Sequence, residues 1–233
     1  WTLYVEAEAG SDTNDGQTLL SAFASLQAAA VAAKSNTTIY VGNGTYRNAN
    51  FGTGDANDDS VVTFHGLGNI VLRNLPGQNP KIEFDGSAGL SGYAMRGFEI
   101  RGFEIEGPGS QITHEEAIAD RPLHSKRFSG RGVLIAGSSH IHVHGNTIHH
   151  APGAGIRIDG SDYCTIAGNI LYNNTWWSAN AESAIVLAQS SSVDTTNTVK
   201  MRIVSNTVSE QQDAHEAGRR GRVRECSCAV TRR

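Results

Sequence analysis

The feature that most limits how this chain can fold is a repeat of 23 residues in its second half. Residues 132–146 read GVLIAGSSHIHVHGN, and residues 155–169 read GIRIDGSDYCTIAGN. Three glycines, one serine and one asparagine are identical at matching positions, and four apolar positions also recur. A looser copy begins at Met201. Since units of this length stack to bury a shared apolar face, the repeat predicts a parallel β solenoid.

Residues one period apart should lie above each other in adjacent turns of such a solenoid, about 4.8 Å apart. Asn146 and Asn169 are therefore expected to form an asparagine ladder, which Asn206 could extend. The repeated glycines would supply the positive φ angles that tight corners need.

The N-terminal part shows helical periodicity once. Residues 1–5 read as a strand, and in residues 21–34 apolar side chains recur every three or four positions. A helix there would cap the open end of the solenoid core, whose strand edges would otherwise be unpaired. We predict one β-helix domain over residues 1–209, in which residues 1–38 form the first strand and the capping helix.

Charge divides the chain into two parts. Residues 210–233 carry six basic and four acidic groups, whereas residues 1–209 carry 13 basic and 19 acidic groups. The first part has no basic stripe for nucleic acid, no disulfide framework and no apolar run that could span a membrane. The basic tail could be disordered, a helical cap, a surface-binding extension or the truncated end of a longer solenoid.

Several segments carry a family resemblance: residues 4–5, the turn GSDTNDG at 10–16, AFASLQAA at 22–29, TIYVGNGTY at 38–46, and the rungs from 132 to 169. Together they resemble secreted right-handed parallel β-helix proteins of the pectate-lyase-like superfamily, over about residues 1–208. The resemblance implies an all-β fold, a single-stranded right-handed parallel β-helix with an N-terminal capping α-helix. We expect a secreted or periplasmic monomer whose partner is a polysaccharide.

The superfamily contains lyases, hydrolases, esterases, epimerases and adhesins, so the fold alone does not select a reaction. Our leading hypothesis is a polysaccharide lyase that cleaves a uronate-containing glycan by β-elimination. A glycoside hydrolase is the second hypothesis, with Asp159 and Glu182 as the carboxylate pair to test. A non-catalytic carbohydrate-binding solenoid or a degenerate fragment is the third. The acidic balance of residues 1–209 counts against a polyanionic substrate unless basic side chains dominate the groove.

The period suggests a column of proton-transfer groups. Counting in steps of 23 residues aligns Lys126 with His149 and Tyr172, and Arg127 with His150 and Asn173. In β-elimination a cation neutralises the uronate carboxylate, a base removes the neighbouring proton, and an acid protonates the leaving oxygen. We assign Lys126 or His149 as the base, Tyr172 as the acid, and Arg127 as a carboxylate ligand. The alternative is that Lys126 and Arg127 lie in an irregular loop outside the period.

Other side chains are candidates for binding substrate, and His150 and Glu182 are among them. Trp176 and Trp177 could stack on sugar rings. His142 should point outward on its strand with His140 and His144, to bind a sugar or share a metal, or only to face solvent. Arg157 could bind a substrate carboxylate or pair with Asp159.

Two insertions interrupt the solenoid rhythm, at residues 107–130 and 173–183, and the second carries Glu182 and both tryptophans. Long insertions in compact domains are usually functional or disordered, so a site is expected between these two. The resemblance also implies Ca²⁺ as a cofactor, because many uronate lyases of this fold use it. Its ligands would come from Glu115, Glu116, Asp120, Asp159 and Glu182, or from the acidic stretch 55–59. Calcium takes six to eight oxygen ligands, which no local loop supplies, so no metal ligand is assigned.

Overall fold

The computed structural model describes residues 1–53, 59–123, 125–177, 182–190 and 193–209. The tail 210–233 and most of the acidic stretch 55–59 lie outside the described residues. Among the described residues, no helix has both the length and the apolar character that crossing a lipid bilayer requires.

The described strands form three parallel sheets, and they are numbered here in chain order. Sheet 1 contains β1 (Thr2–Val5), β2 (Thr38–Val41), β5 (Gly68–Asn74), β8 (Arg96–Arg101), β11 (Ser139–His144), β14 (Asp162–Ala167) and β17 (Met201–Val204). Sheet 2 contains β3 (Thr45–Tyr46), β6 (Lys81–Glu83), β9 (Glu104–Glu106), β12 (Thr147–His149), β15 (Ile170–Tyr172) and β18 (Thr207–Ser209). Sheet 3 contains β4 (Val62–His65), β7 (Ala88–Tyr93), β10 (Arg131–Ala136), β13 (Ile156–Asp159) and β16 (Ile185–Ala188).

Each complete turn of the chain contributes one strand to sheet 3, one to sheet 1 and one to sheet 2. The predicted 23-residue step is confirmed, because Val133 pairs with Ile156 and Ile148 pairs with Leu171. Inward-facing side chains of all three sheets meet in one core of buried aliphatic and aromatic residues. The architecture is therefore the predicted all-β parallel β-helix.

The asparagine ladder is also confirmed. The amide oxygen of Asn169 accepts from the backbone and side-chain N–H groups of Asn146, each at 3.1 Å. Asn206 repeats this contact with Asn169 at 2.9 Å. The preceding residues Gly145 and Gly168 have φ angles of 62° and 61°, as a tight corner requires.

The capping helix is shorter than predicted. A 3₁₀ turn covers Leu19–Ser21, and α1 covers Leu26–Ala32, where Ser25 accepts from the backbone N–H of Ala28. Phe23 lies between them and forms a parallel bridge with Val5, so β1 holds this segment extended. Leu26 and Ala29 are buried in the core, so the helix caps the solenoid as expected.

The insertion at 107–130 contains its own short elements: a 3₁₀ turn Pro108–Gln111, α2 (His114–Asp120) and a 3₁₀ turn Lys126–Phe128. It lengthens one turn of the solenoid, because Ile105 pairs with Ile148, which lies 43 residues later. This lengthening determines which side chains share a column on sheet 2.

Candidate functional site

The outer face of sheet 2 brings together a group of polar side chains where both insertions leave the solenoid. We call this group the sheet 2 cluster; its members are Lys81, Glu104, Glu106, His149, His150, Tyr172 and Asn173. They are held by the short strands β6, β9, β12 and β15 and by the turns that follow β12 and β15. In each strand a buried central residue, such as Ile105 or Ile148, turns its neighbours outward.

His149 and Tyr172 confirm one predicted alignment. They are register partners in β12 and β15, and their rings stack with centroids 4.7 Å apart and 8° between planes. The residue on the other side of His149 is Glu106, not Lys126. The predicted register of Lys126 is wrong because the inserted residues move it off the sheet, where its Nζ contacts Asp59 at 3.2 Å.

Arg127 also lies outside the column predicted for it, in the same 3₁₀ turn as Lys126. It nevertheless lines a small cleft beside the cluster, together with Glu83, Gly107 and Gln111. Gly107 directly follows Glu106, and its backbone N–H donates to the carbonyl of His149 at 3.0 Å. The Arg127 side chain therefore lines a cleft that adjoins the sheet 2 cluster at Gly107.

A continuous chain of hydrogen bonds runs through the two imidazoles. The Asn173 amide lies 3.3 Å from Nε2 of His150, the two Nδ1 atoms are 2.7 Å apart, and Nε2 of His149 lies 3.3 Å from Glu104. One tautomer arrangement satisfies all three contacts with both rings neutral. In it, Asn173 donates to His150, His150 Nδ1–H donates to His149, and His149 Nε2–H donates to Glu104.

The two imidazoles in this chain of hydrogen bonds differ in burial. The side chain of His149 is 6% exposed, whereas that of His150 is 17% exposed. His150 adopts a φ of 55°, and Asn173, one turn later, adopts 53°. This left-handed conformation turns His150 out of the strand, so its side chain is the more exposed of the two imidazoles.

Burial and neighbouring charges shift the pKa values of Glu106, Lys81 and Tyr172 in the sheet 2 cluster. Burial alone would raise the pKa of Glu106, but the hydrogen bond and charge of Lys81, aided by His149 and His150, lower it below its ordinary value. The bond to Glu106 is also the main reason that the pKa of Lys81 is raised. Burial, followed by the charges of Glu104 and Glu106, raises the pKa of Tyr172, so its phenol keeps its proton at neutral pH.

The tryptophans connect the two insertions. Nε1 of Trp177 donates to the carbonyl of Gly109 at 2.9 Å, and the ring of Trp177 lies 6.4 Å from that of His114. The first insertion also contacts the cluster, because Gly109 N–H donates to the carbonyl of His150 at 2.8 Å. Trp176 is partly exposed beside Trp177. The two insertions therefore meet next to the repeat, where the sequence predicted a site.

Three other predicted binding residues lie elsewhere on the solenoid, namely His142, Arg157 and Glu182. His142 is exposed on sheet 1, as its alternation predicted, between Glu99 and Thr165. Arg157 lies on sheet 3 and binds both Asp159 and Glu182, each at 2.7 Å.

Glu182 is 2% exposed and also binds Arg131, while its Oε2 accepts from the backbone N–H of Ala154 at 2.8 Å. The carboxylates considered for a hydrolase are thus both engaged by one arginine. Among the acidic residues considered for calcium, Glu116 closes a capping box with Thr113, and Asp120 accepts from Ser125.

Sequence reasoning missed Lys81, Glu104 and Glu106, whereas it aligned His150 with Asn173. The signal was present, because Gly102 precedes Glu104 at the spacing by which Gly145 precedes Thr147, and both glycines have positive φ. Aligning the turns on these corner glycines, instead of counting residues across the insertion, places Glu106 beside His149.

Comparison with known proteins gives the following. A solved structure titled "Rhamnogalacturonan lyase" is 16% identical, with a TM-score of 0.41, over 90% of this chain and 66% of that one. No curated protein matches the chain. The family model described as "Right handed beta helix region" matches residues 77–226. Because that match spans more than half of the 233 residues, the chain belongs to the right-handed β-helix family.

Proposed function

We propose that this protein is a polysaccharide lyase that cleaves a uronate-containing glycan by β-elimination at the sheet 2 cluster. The observation that carries the proposal is the hydrogen-bonded chain from Asn173 through His150 and His149 to Glu104, beside the stacked phenol of Tyr172. It supplies a base, a route for the accepted proton and a protonated acid within one face. We also propose that the protein is secreted.

His150 is the proton acceptor in this mechanism. Its Nε2 takes the C5 proton of the uronate, its Nδ1–H passes to His149, and the positive charge is shared toward Glu104. The electrons of the C5–H bond form the C4–C5 double bond as the bond from C4 to the glycosidic oxygen breaks. The Tyr172 hydroxyl supplies a proton to that leaving oxygen.

The negative charge that develops on the uronate carboxylate needs a cation. Lys81 is bound to Glu106, and Arg47 is bound to Glu83 on the same face. Arg127, which lines the adjoining cleft, is therefore assigned to the substrate carboxylate. A guanidinium suits this role because it binds a carboxylate through two parallel hydrogen bonds.

The test is a screen on alginate, pectate, chondroitin and neutral glucans that measures the ultraviolet absorbance of unsaturated uronate and the release of reducing ends separately. We expect both signals on at least one acidic glycan and neither on neutral glucans. Reducing ends without absorbance would indicate a hydrolase and contradict the proposal. No signal on any substrate would favour a carbohydrate-binding solenoid.

Variants then test the assignment of the cluster. His150→Asn is the informative change, because asparagine tolerates the left-handed backbone and occupies the equivalent position, 173, one turn later. The matched control is His140→Asn on sheet 1, which has a φ of 58° and whose ring also lies against a tyrosine ring, stacked on it and not edge-on as that of His150 is. Activity that persists in His150→Asn would place the reaction elsewhere, and Lys126→Ala should leave it unchanged.

A further inference from the structure

Three groups that can bind a metal converge inside the sheet 2 cluster. Oε1 of Glu106 lies 4.0 Å from Nδ1 of His149 and 3.9 Å from Nδ1 of His150. The two Nδ1 atoms are 2.7 Å apart. All three atoms thus lie within 4.8 Å of one another, on two adjacent turns of the solenoid.

These separations are close to those of a tetrahedral metal site. Ligands bonded to zinc at about 2.0–2.2 Å lie about 3.3 Å from each other. To reach that geometry, the two Nδ1 atoms would have to move about 0.6 Å further apart. The carboxylate oxygen of Glu106 would have to move about 0.6 Å closer to each of them. Side-chain rotations of this size leave the strand pairing unchanged.

The surroundings also provide partners that orient metal ligands. Nε2 of His149 faces Glu104 at 3.3 Å, which is the contact that a histidine bound to metal through Nδ1 normally makes. Nε2 of His150 faces the Asn173 side chain, whose amide oxygen could accept from it. Lys81 binds Oε2 of Glu106, while Oε1 faces the imidazoles.

The set of donors selects the kind of metal. Two imidazoles and one carboxylate suit Zn²⁺, Cu²⁺ or Ni²⁺, whereas calcium takes six to eight oxygens. Three protein ligands leave a fourth position open, and Glu106 and His150 are both partly exposed. A water molecule or another ligand could therefore reach the metal.

We propose that Glu106, His149 and His150 form a binding site for a late first-row divalent metal ion, with Zn²⁺ as the representative. The site does not depend on the proposed lyase function, because binding is measured without substrate. It does use the Nδ1 lone pairs of both histidines, so a bound metal would interrupt the hydrogen-bonded chain between them.

The test is calorimetric titration of the untagged full-length chain with Zn²⁺ and, separately, with Ca²⁺. The Cys226→Ser/Cys228→Ser background removes two thiols that could bind zinc on their own. We expect one Zn²⁺ per chain and no Ca²⁺ binding that competes with it. Absence of Zn²⁺ binding in this background would overturn the proposal.

Three variants locate the ion. His150→Asn and Glu106→Gln should each weaken Zn²⁺ binding by more than 100-fold, and Glu104→Gln, which removes an orienting partner, by about 10- to 100-fold. His140→Asn should bind as the parent does. Circular dichroism confirms that each variant is folded. Binding that is unchanged in His150→Asn and Glu106→Gln would contradict the assignment.

A spectroscopic measurement checks the ligands independently. Electron paramagnetic resonance of the Cu²⁺-loaded chain should show coupling to two imidazole nitrogens. The coupling should fall to one nitrogen in His149→Phe, which keeps the ring that stacks on Tyr172. A spectrum with coupling to no imidazole nitrogen would contradict the site even if Cu²⁺ binds.

Discussion

The imidazole of His149 lies parallel to the phenol ring of Tyr172, with their centroids 4.7 Å apart and 8° between the planes. The two residues are also register partners in adjacent strands, so the stacking follows from the regular rise of the solenoid. The solenoid thereby places an imidazole and a hydroxyl side by side without any loop having to hold them.

This stacking separates two contributions of Tyr172. Tyr172→Phe keeps the ring but removes the proton that the proposed mechanism uses, so we expect stability to change by less than about 0.5 kcal/mol and kcat to fall about 10²- to 10⁴-fold. Urea unfolding and the absorbance assay measure the two effects. Tyr163→Phe, in the equivalent stacked pair with His140, is the control and should retain full activity. An active Tyr172→Phe variant would remove Tyr172 from the mechanism.

The asparagine ladder should contribute strongly to stability at its buried end. Asn146 is 1% exposed, and its amide bonds to Asn169, to the backbone N–H of Phe103 and to the carbonyl of Ile100. Asn146→Ala leaves these groups without partners in a dry environment, so we expect a loss of about 3 kcal/mol in urea unfolding. Asn206→Ala, where the ladder is partly exposed, should cost about 1 kcal/mol, since water can replace the side chain. Equal losses would show that burial does not control the effect.

The repeat predicts the parts of this fold that are regular. Glycines at corners and alternating apolar residues specify the backbone path locally, so the pairing of Val133 with Ile156 and the ladder through Asn169 follow from spacing. The capping helix was predicted too long because the pairing of Phe23 with β1 is a tertiary contact that helical periodicity does not reveal.

The candidate site was predicted only in part, for a related reason. His149 and Tyr172 belong to consecutive uninterrupted turns, and their alignment was expected. Glu106 belongs to the turn before the insertion, so its contact with His149 depends on the chain returning to register 43 residues later. That return is fixed by packing of the buried Ile105 against its neighbours, which a residue count across the insertion does not show.

Glu182 should act in folding and not in substrate binding. Its carboxylate is 2% exposed and binds Arg131 and Arg157, so Glu182→Gln removes the counter-charge of Arg131 and leaves Arg157 paired with Asp159. We expect a loss of about 3 kcal/mol in the free energy of unfolding, because breaking a buried ion pair costs more than a surface pair contributes. Asp159→Asn, at 27% exposure, should cost less than about 1 kcal/mol. A stable Glu182→Gln variant with a raised KM would instead support the original assignment to substrate.

Cys164 should be chemically silent in the folded protein. It is 1% exposed, and burial raises the pKa of its thiol to about 12. Because the thiolate is the reactive form, we expect no alkylation by iodoacetamide at pH 8 in the Cys226→Ser/Cys228→Ser background, and one modification per chain in denaturant. Mass spectrometry measures both. Rapid alkylation without denaturant would show that this turn of the solenoid opens readily.

The two proposals together make a prediction about metals that separates this protein from a calcium-dependent lyase. The proposed proton relay and the proposed metal site use the same Nδ1 atoms of His149 and His150, so Zn²⁺ should inhibit cleavage with a midpoint equal to its dissociation constant. EDTA should leave the rate of the metal-free enzyme unchanged and restore the rate of the enzyme inhibited by Zn²⁺, as measured by the absorbance assay.

Glu106→Gln, whose side chain has no assigned step in the elimination, should remain active and lose sensitivity to Zn²⁺. Loss of activity in EDTA that Ca²⁺ restores would contradict the proposed mechanism, whereas Zn²⁺ binding without inhibition would keep the metal site and move the reaction away from it.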